Sequence, residues 1–169
     1  MDGGVVLIGM PGAGKSTLGV LLAKALSLDF LDTDVLIQSR EGRPLQQLIN
    51  ELGPEGFLAL EARHVLTLDT RRAVIATGGS VVYRPEAMAH LRTLGAVVHL
   101  ALPLDTLQRR LENLAVRGVV LREGQNLPEL YRERMPLYER YADVSVPCEG
   151  LGHEQALATV IAKLATVRR

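Results

Sequence analysis

The sequence predicts an α/β domain built on a parallel sheet with helices on both faces. Two observations predict it. Short apolar runs rich in valine and isoleucine alternate with stretches whose apolar residues recur every three or four positions. The first of these runs passes through a glycine-rich turn directly into an amphipathic stretch, the strand-turn-helix order of a βα unit. At 169 residues the chain is long enough for one core and is read as a single domain spanning 1–169, with no internal repeat or linker.

The elements follow in order. Residues 5–9 (VVLIG) form an apolar run closed by glycine, as in a buried parallel strand. Leu18, Leu21, Leu22, Ala25 and Leu26 then lie on one helical stripe. Residues 29–34 (DFLDTD) read as a second short strand and its extended exit. Leu45, Leu48, Ile49 and Leu52 mark a helical face, and a separate, longer helix is expected over 54–68. Residues 73–77 (AVIAT) form a third strand ending at Gly78-Gly79, and 85–94 form a helix with proline in its first turn. Residues 96–102 make a fourth strand, 103–114 a helix, and 144–146 a short fifth strand. Leu157, Val160, Ile161 and Leu164 belong to a closing helix. Residues 113–127 are irregular, and a long connection in a small α/β domain reads as a lid over a site.

Composition narrows the classes. With 19 basic and 19 acidic residues the formal net charge is zero, so nothing draws the molecule as a whole to nucleic acid or an anionic membrane. The one cysteine, Cys148, has no internal partner, which fits a reducing compartment. The first residues carry no basic segment followed by a long apolar one, and no apolar stretch reaches the ~20 residues a bilayer needs. The expectation is a cytoplasmic protein, a monomer, with a small-molecule partner.

Residues 9–16, GMPGAGKS, fit the phosphate-binding pattern of glycine, four residues, then Gly-Lys-Ser, and they sit between a strand and a helix as that pattern requires. Glycines let successive N–H groups turn toward phosphate oxygens, and the helix N-terminus adds positive partial charge. The backbone and side chains of Gly12, Ala13, Gly14, Lys15, Ser16 and Thr17 would hold the nucleotide, with Lys15 as the point charge and the Ser16 hydroxyl in the Mg²⁺ shell. No Asn-Lys-x-Asp guanine-reading signature is present, and no apolar strand ends in the usual metal-holding aspartate, which leaves Asp32 for that place.

Four stretches together, GMPGAGKSTLG at 9–19, FLDTD at 30–34, TGGS at 77–80 and RMPLY at 134–138, resemble the shikimate kinase family within the nucleoside-monophosphate-kinase-like P-loop fold. The resemblance runs nearly end to end. It implies a five-stranded parallel sheet in order 2-3-1-4-5, a substrate-binding region over about residues 33–62, a lid over ATP, and transfer of a phosphoryl group from ATP with Mg²⁺ to a hydroxyl, giving shikimate 3-phosphate in aromatic amino acid biosynthesis. It also implies roles. Asp34 would contact substrate hydroxyls and act as base, and Asp32 would support Mg²⁺. Gly78 and Gly79 would approach the substrate ring, Arg134 would pair with its carboxylate, and Arg117 would reach the phosphates from the lid. Asp32 also has a helix-capping reading, and both roles can coexist there.

The chain departs from the family pattern at three places. The helix after the second strand carries Phe-Arg-x-x-Glu in the family and Phe57-Leu58-Ala59-Leu60-Glu61 here. Losing one of two arginines that grip a carboxylate costs roughly 2–4 kcal/mol of binding unless another group substitutes. Arg84 is a possible substitute, whereas Arg63 lies about 140° further around an ideal helix. Glu61 is left without its expected partner and, bare, would repel an acid. The third loop glycine is Ser80, which adds a hydroxyl near the ring position, and the lid arginine is followed by Gly118 where proline is common. Two alternatives follow: a related kinase acting on another small hydroxylated metabolite, or a nucleotide-binding regulatory protein without transfer activity.

Overall fold

A computed structural model describes residues 3–112, 119–120 and 122–167. Among them five strands form one parallel sheet in the order β2-β3-β1-β4-β5, the order implied by the family resemblance. The strands are β1 (Gly4–Ile8), β2 (Asp29–Asp32), β3 (Ala73–Ala76), β4 (Gly95–Ala101) and β5 (Val144–Pro147). β1 lies at the centre, paired in register with β3 (Val6 opposite Ile75) and with β4 (Val6 opposite Val97). All five residues of β1 are buried, which is why the run VVLI has no polar alternation.

Among the described residues seven α-helices connect and cover the strands: α1 (Lys15–Leu26), α2 (Thr33–Glu41), α3 (Leu45–Leu66), α4 (Pro85–Leu94), α5 (Leu104–Glu112), α6 (Leu127–Tyr141) and α7 (His153–Leu164). Parallel strands need such crossovers because a tight hairpin can join only antiparallel neighbours. The main core packs Leu7, Leu22, Ile75, Met88, Leu91, Val98 and their neighbours around the sheet, while Ile37, Leu48, Ile49, Phe57, Leu60 and Val120 form a second, smaller cluster beneath α2 and α3.

One local feature differs from the sequence reading. The second strand does not leave as an extended segment: the chain turns into α2 at once, with Asp32 as the N-cap. The two helices expected on either side of Gly53 are present as the two halves of α3, separated by a kink where Gly53 takes the non-helical φ 68 and ψ 173 that glycine tolerates, with Pro54 opening the second half. α6 begins at Leu127 behind an Asn126–Glu129 capping box and runs through Pro136.

Gly4 and Gly95 face each other at the start of β1 and β4, and a Cβ built on Gly95 would lie 2.3 Å from the Gly4 carbonyl group. A side chain there must push the two central strands apart. Gly95→Ala is expected to lower stability by about 1–3 kcal/mol in urea unfolding. Gly3→Ala, with nothing within 4 Å of the added carbon, is expected to change it by less than about 0.5 kcal/mol.

Candidate active site

The phosphate-binding loop joins β1 to α1 at the C-terminal edge of the sheet, the edge where open α/β sheets place ligands. Gly12 (φ 79) and Gly14 (φ 92) adopt left-handed backbone, and Gly14 serves as the N-cap of α1. The first N–H groups of α1 therefore face the loop's concavity with no side-chain cap on them. The Lys15 side chain is buried and folds over this concavity, its Nζ donating to the carbonyls of Gly9 (2.8 Å) and Met10 (2.9 Å). Burial lowers its pKa to about 8, against an opposing pull from Asp34. A cleft opens here, lined among others by Gly12, Lys15, Thr17, Asp34, Gly79 and Arg110.

The two aspartates divide their tasks within one turn of helix. Asp32 Oδ1 accepts from the N–H groups of Asp34 (2.9 Å) and Val35 (3.2 Å), which caps α2. Its other oxygen, Oδ2, accepts from the Ser16 hydroxyl at 2.6 Å. Asp32 thus caps a helix and stands beside the phosphate-binding loop at the same time. Asp34 lies in the first turn of α2, and burial followed by the neighbouring Asp32 raises its pKa to about 6. Ser16 and Asp32 suit a hard, oxygen-seeking cation that keeps most of its shell for water and phosphate. The observation behind that fit is their touching hydroxyl and carboxylate; among the described residues no group of three or more acidic, cysteine or histidine side chains is placed to hold a metal ion by itself.

Opposite the aspartates runs the glycine loop after β3. Gly78 donates its N–H to Thr33 Oγ1 at 3.0 Å, and the Gly79 carbonyl accepts from the Tyr138 hydroxyl at 2.6 Å. A Cβ on Gly78 would lie 2.3 Å from Glu61 Oε1 and 2.8 Å from Asp34 Oδ1; one on Gly79 would lie 3.0 Å from the Arg134 guanidinium. A side chain at Gly78 would force these carboxylates to shift, and one at Gly79 would press on the guanidinium and on Pro11. Tyr138 is fully buried, stacks on His99 at 5.1 Å, and also holds this loop.

Arg134 is 1 % exposed, alone among the charged residues of α6 in being buried. Its Nε donates to the Tyr83 hydroxyl (3.3 Å), its Nη2 donates to the Val120 carbonyl (3.0 Å), and its guanidinium lies over the Tyr83 ring. Leu58 is buried and lines a small cavity with Tyr83 and Val120, so the residue that departs from the family pattern borders the partners of Arg134. Arg84 does not fill that cavity: its Nη2 is 2.9 Å from Glu55 Oε2, one turn of α3 before Leu58. Arg63 points to Glu41 at 3.6 Å, away from the site as its helical position predicts.

Glu61 corrects a sequence expectation. It is buried, Ser80 donates to its Oε2 at 2.8 Å, and burial raises its pKa to about 7. It is not a bare anion, and the Ser80 hydroxyl is turned to it. Its Oε1 has no partner.

The structure thus brings Gly12, Ala13, Gly14, Lys15, Ser16, Thr17, Asp32, Asp34, Gly78, Gly79 and Arg134 to one edge of the sheet. Arg117 and Gly118 lie outside the described residues, as do 113–116 and 121 of the expected lid. Sequence reasoning missed Arg110, whose Nη1 donates to the Gly12 carbonyl at 3.1 Å from the last turn of α5.

Glu61 ties stability to pH. Its unfolded value is near 4.5 and its folded value about 7, so between them the folded state holds a proton that the unfolded state has released. Stability contributed at low pH is lost as pH rises through that window, by about 3 kcal/mol in all. In urea unfolding across pH 4.5–8, Glu61→Gln is expected to flatten this fall and to gain stability over the native chain at pH 8.

Comparison with known proteins agrees with this geometry. The family model described as "Shikimate kinase" matches residues 11–165. The shikimate kinase of Thermodesulfovibrio yellowstonii is 35% identical over 160 residues, covering 93% of this chain and 92% of that one. That of Thioalkalivibrio sulfidiphilus is 39% identical over 145 residues, covering 84% and 76%. Among solved structures, shikimate kinase from Acinetobacter baumannii in complex with shikimate superposes with a TM-score of 0.84 at 28% identity, covering 96% of this chain and 92% of that one. Motif, sheet order, site geometry and these relatives agree: the chain belongs to the shikimate kinase family.

Proposed function

We propose that this kinase transfers the γ-phosphoryl group of ATP to a hydroxyl of shikimate, giving shikimate 3-phosphate. The observation that carries the reading is the buried Arg134, a permanent cation facing the same glycine loop as Asp34: a site that pairs a carboxylate-seeking fork with a carboxylate base suits a hydroxylated acid. The family uses ATP, and the A. baumannii relative was solved with shikimate bound.

Each residue has a task in this reading. The N–H groups at the start of α1 receive the phosphate chain, and Lys15 leaves the Gly9 and Met10 carbonyls to neutralise the β and γ phosphates. Arg110 braces the loop from α5. Ser16 and Asp32 would hold Mg²⁺, which supplies charge neutralisation at the phosphates. Asp34, with a pKa near 6, is ionised at neutral pH yet basic enough to orient the attacking hydroxyl and take its proton. Gly78 and Gly79 let the substrate ring approach, and Arg134 exchanges the Val120 carbonyl for the substrate carboxylate. Arg117 belongs to this reading as the lid cation for the phosphates.

The test is ADP release from Mg-ATP with and without shikimate. Shikimate-dependent release is expected from the native chain and none above background from Lys15→Met. Release that shikimate does not change would sink the reading. Asp34→Asn is expected to lower kcat by about 10²–10⁴-fold with little change in the KM for ATP, since it removes the base and leaves the phosphate site whole.

A further inference from the structure

The buried end of the acceptor site contains more charge than the reaction needs. Glu61 lies behind Gly78, with Oε1 unpartnered and Oε2 held by Ser80 alone. The cations whose fields reach it are Arg134 and Lys15, and the neighbouring carboxylate is Asp34. Arg134 must stay available if it is to take a substrate carboxylate, yet a buried carboxylate near a guanidinium turns toward it unless something else holds it. The two departures in this part of the sequence meet here. Leu58 and Glu61 are three residues apart on α3 and both buried, so leucine removes a side chain that could otherwise reach Glu61, and Ser80 supplies a donor to the same carboxylate from across the site.

We propose that Ser80 is a positioning residue for acceptor binding: by holding Glu61 against the glycine loop it keeps that carboxylate off Arg134, so that a single arginine suffices to bind the acceptor's carboxylate although position 58 is leucine. The effect belongs to acceptor affinity. Ser80 touches neither the phosphate-binding loop nor Asp34 in its hydrogen bonding, and its one side-chain bond goes to Glu61. Without the hydroxyl, Glu61 turns toward Arg134, and the substrate acid must displace it. The inference rests on shikimate as the acceptor.

The experiment is steady-state kinetics with shikimate and Mg-ATP on Ser80→Ala, Glu61→Gln and the double variant, with melting temperatures as the folding control. Ser80→Ala is expected to raise the KM for shikimate at least about tenfold, with kcat falling no more than about threefold and the KM for ATP moving less than twofold. Glu61→Gln in the Ser80→Ala background is expected to restore most of that affinity, because no anion remains to compete for Arg134. If Ser80→Ala does not accumulate as a folded protein, Ser80→Gly and Ser80→Cys take its place, and the Glu61→Gln rescue is read in those backgrounds. A shikimate KM within twofold of native in the single variant overturns the proposal, as does a raised KM that Glu61→Gln does not lower. A native chain without shikimate-dependent turnover overturns the reading of the acceptor itself and this inference with it; native turnover with unaltered Ser80 variants overturns this inference alone.

Discussion

Placing Lys15, Glu61 and Arg134 out of water, with the half-buried Asp34 within reach of their fields, is the constraint that shapes the rest of the molecule. Each of the three buried groups would lose several kcal/mol of solvation if left without compensation, and each is compensated in a different way. Lys15 bonds to loop carbonyls, Arg134 to a tyrosine hydroxyl and a carbonyl, and Glu61 to a serine and, in part, to a proton of its own. A side chain at Gly78 would push Glu61 and Asp34 aside, and one at Gly79 would crowd Arg134. The sheet supplies the rigidity: β1, buried on both faces and paired on both edges, fixes the phosphate loop, and β3 beside it fixes the glycine loop.

Asp32 joins the two halves of the site. One oxygen organises the start of α2, which sets where Asp34 points, and the other is in contact with Ser16 at the start of α1. A residue that does only one of these things could be replaced by another capping residue. Doing both requires two oxygens on a short side chain at the end of a strand, which leaves aspartate as the fitting choice over serine or threonine.

Much of the frame is readable from the chain. β1, β3, β4, α1, α4 and α7 follow from apolar runs and periodicity, and the phosphate loop follows from its pattern. α2 was hidden because Val35, Leu36 and Ile37 continue the apolar run of the strand and include β-branched residues, so local propensity pointed to extended chain; the capping by Asp32 decides otherwise. The break at Gly53 was legible because Gly-Pro is an ordinary stop signal, and the two halves of α3 meet there at a non-helical glycine. Arg110 and the Ser80–Glu61 bond were not legible, since each joins residues far apart in sequence and no spacing rule carries that information.

The order of the sheet also divides the site by cooperativity. The phosphate loop hangs from the central strand and the glycine loop from β3, each paired on both edges, whereas Asp32 ends and Asp34 follows β2, an edge strand of four residues with one neighbour. Edge strands and the short helices after them open at lower free energy than a sheet's centre. The carboxylate pair therefore stands on the least constrained strand of the site, and the capping bonds of Asp32 tie it down where the sheet does not.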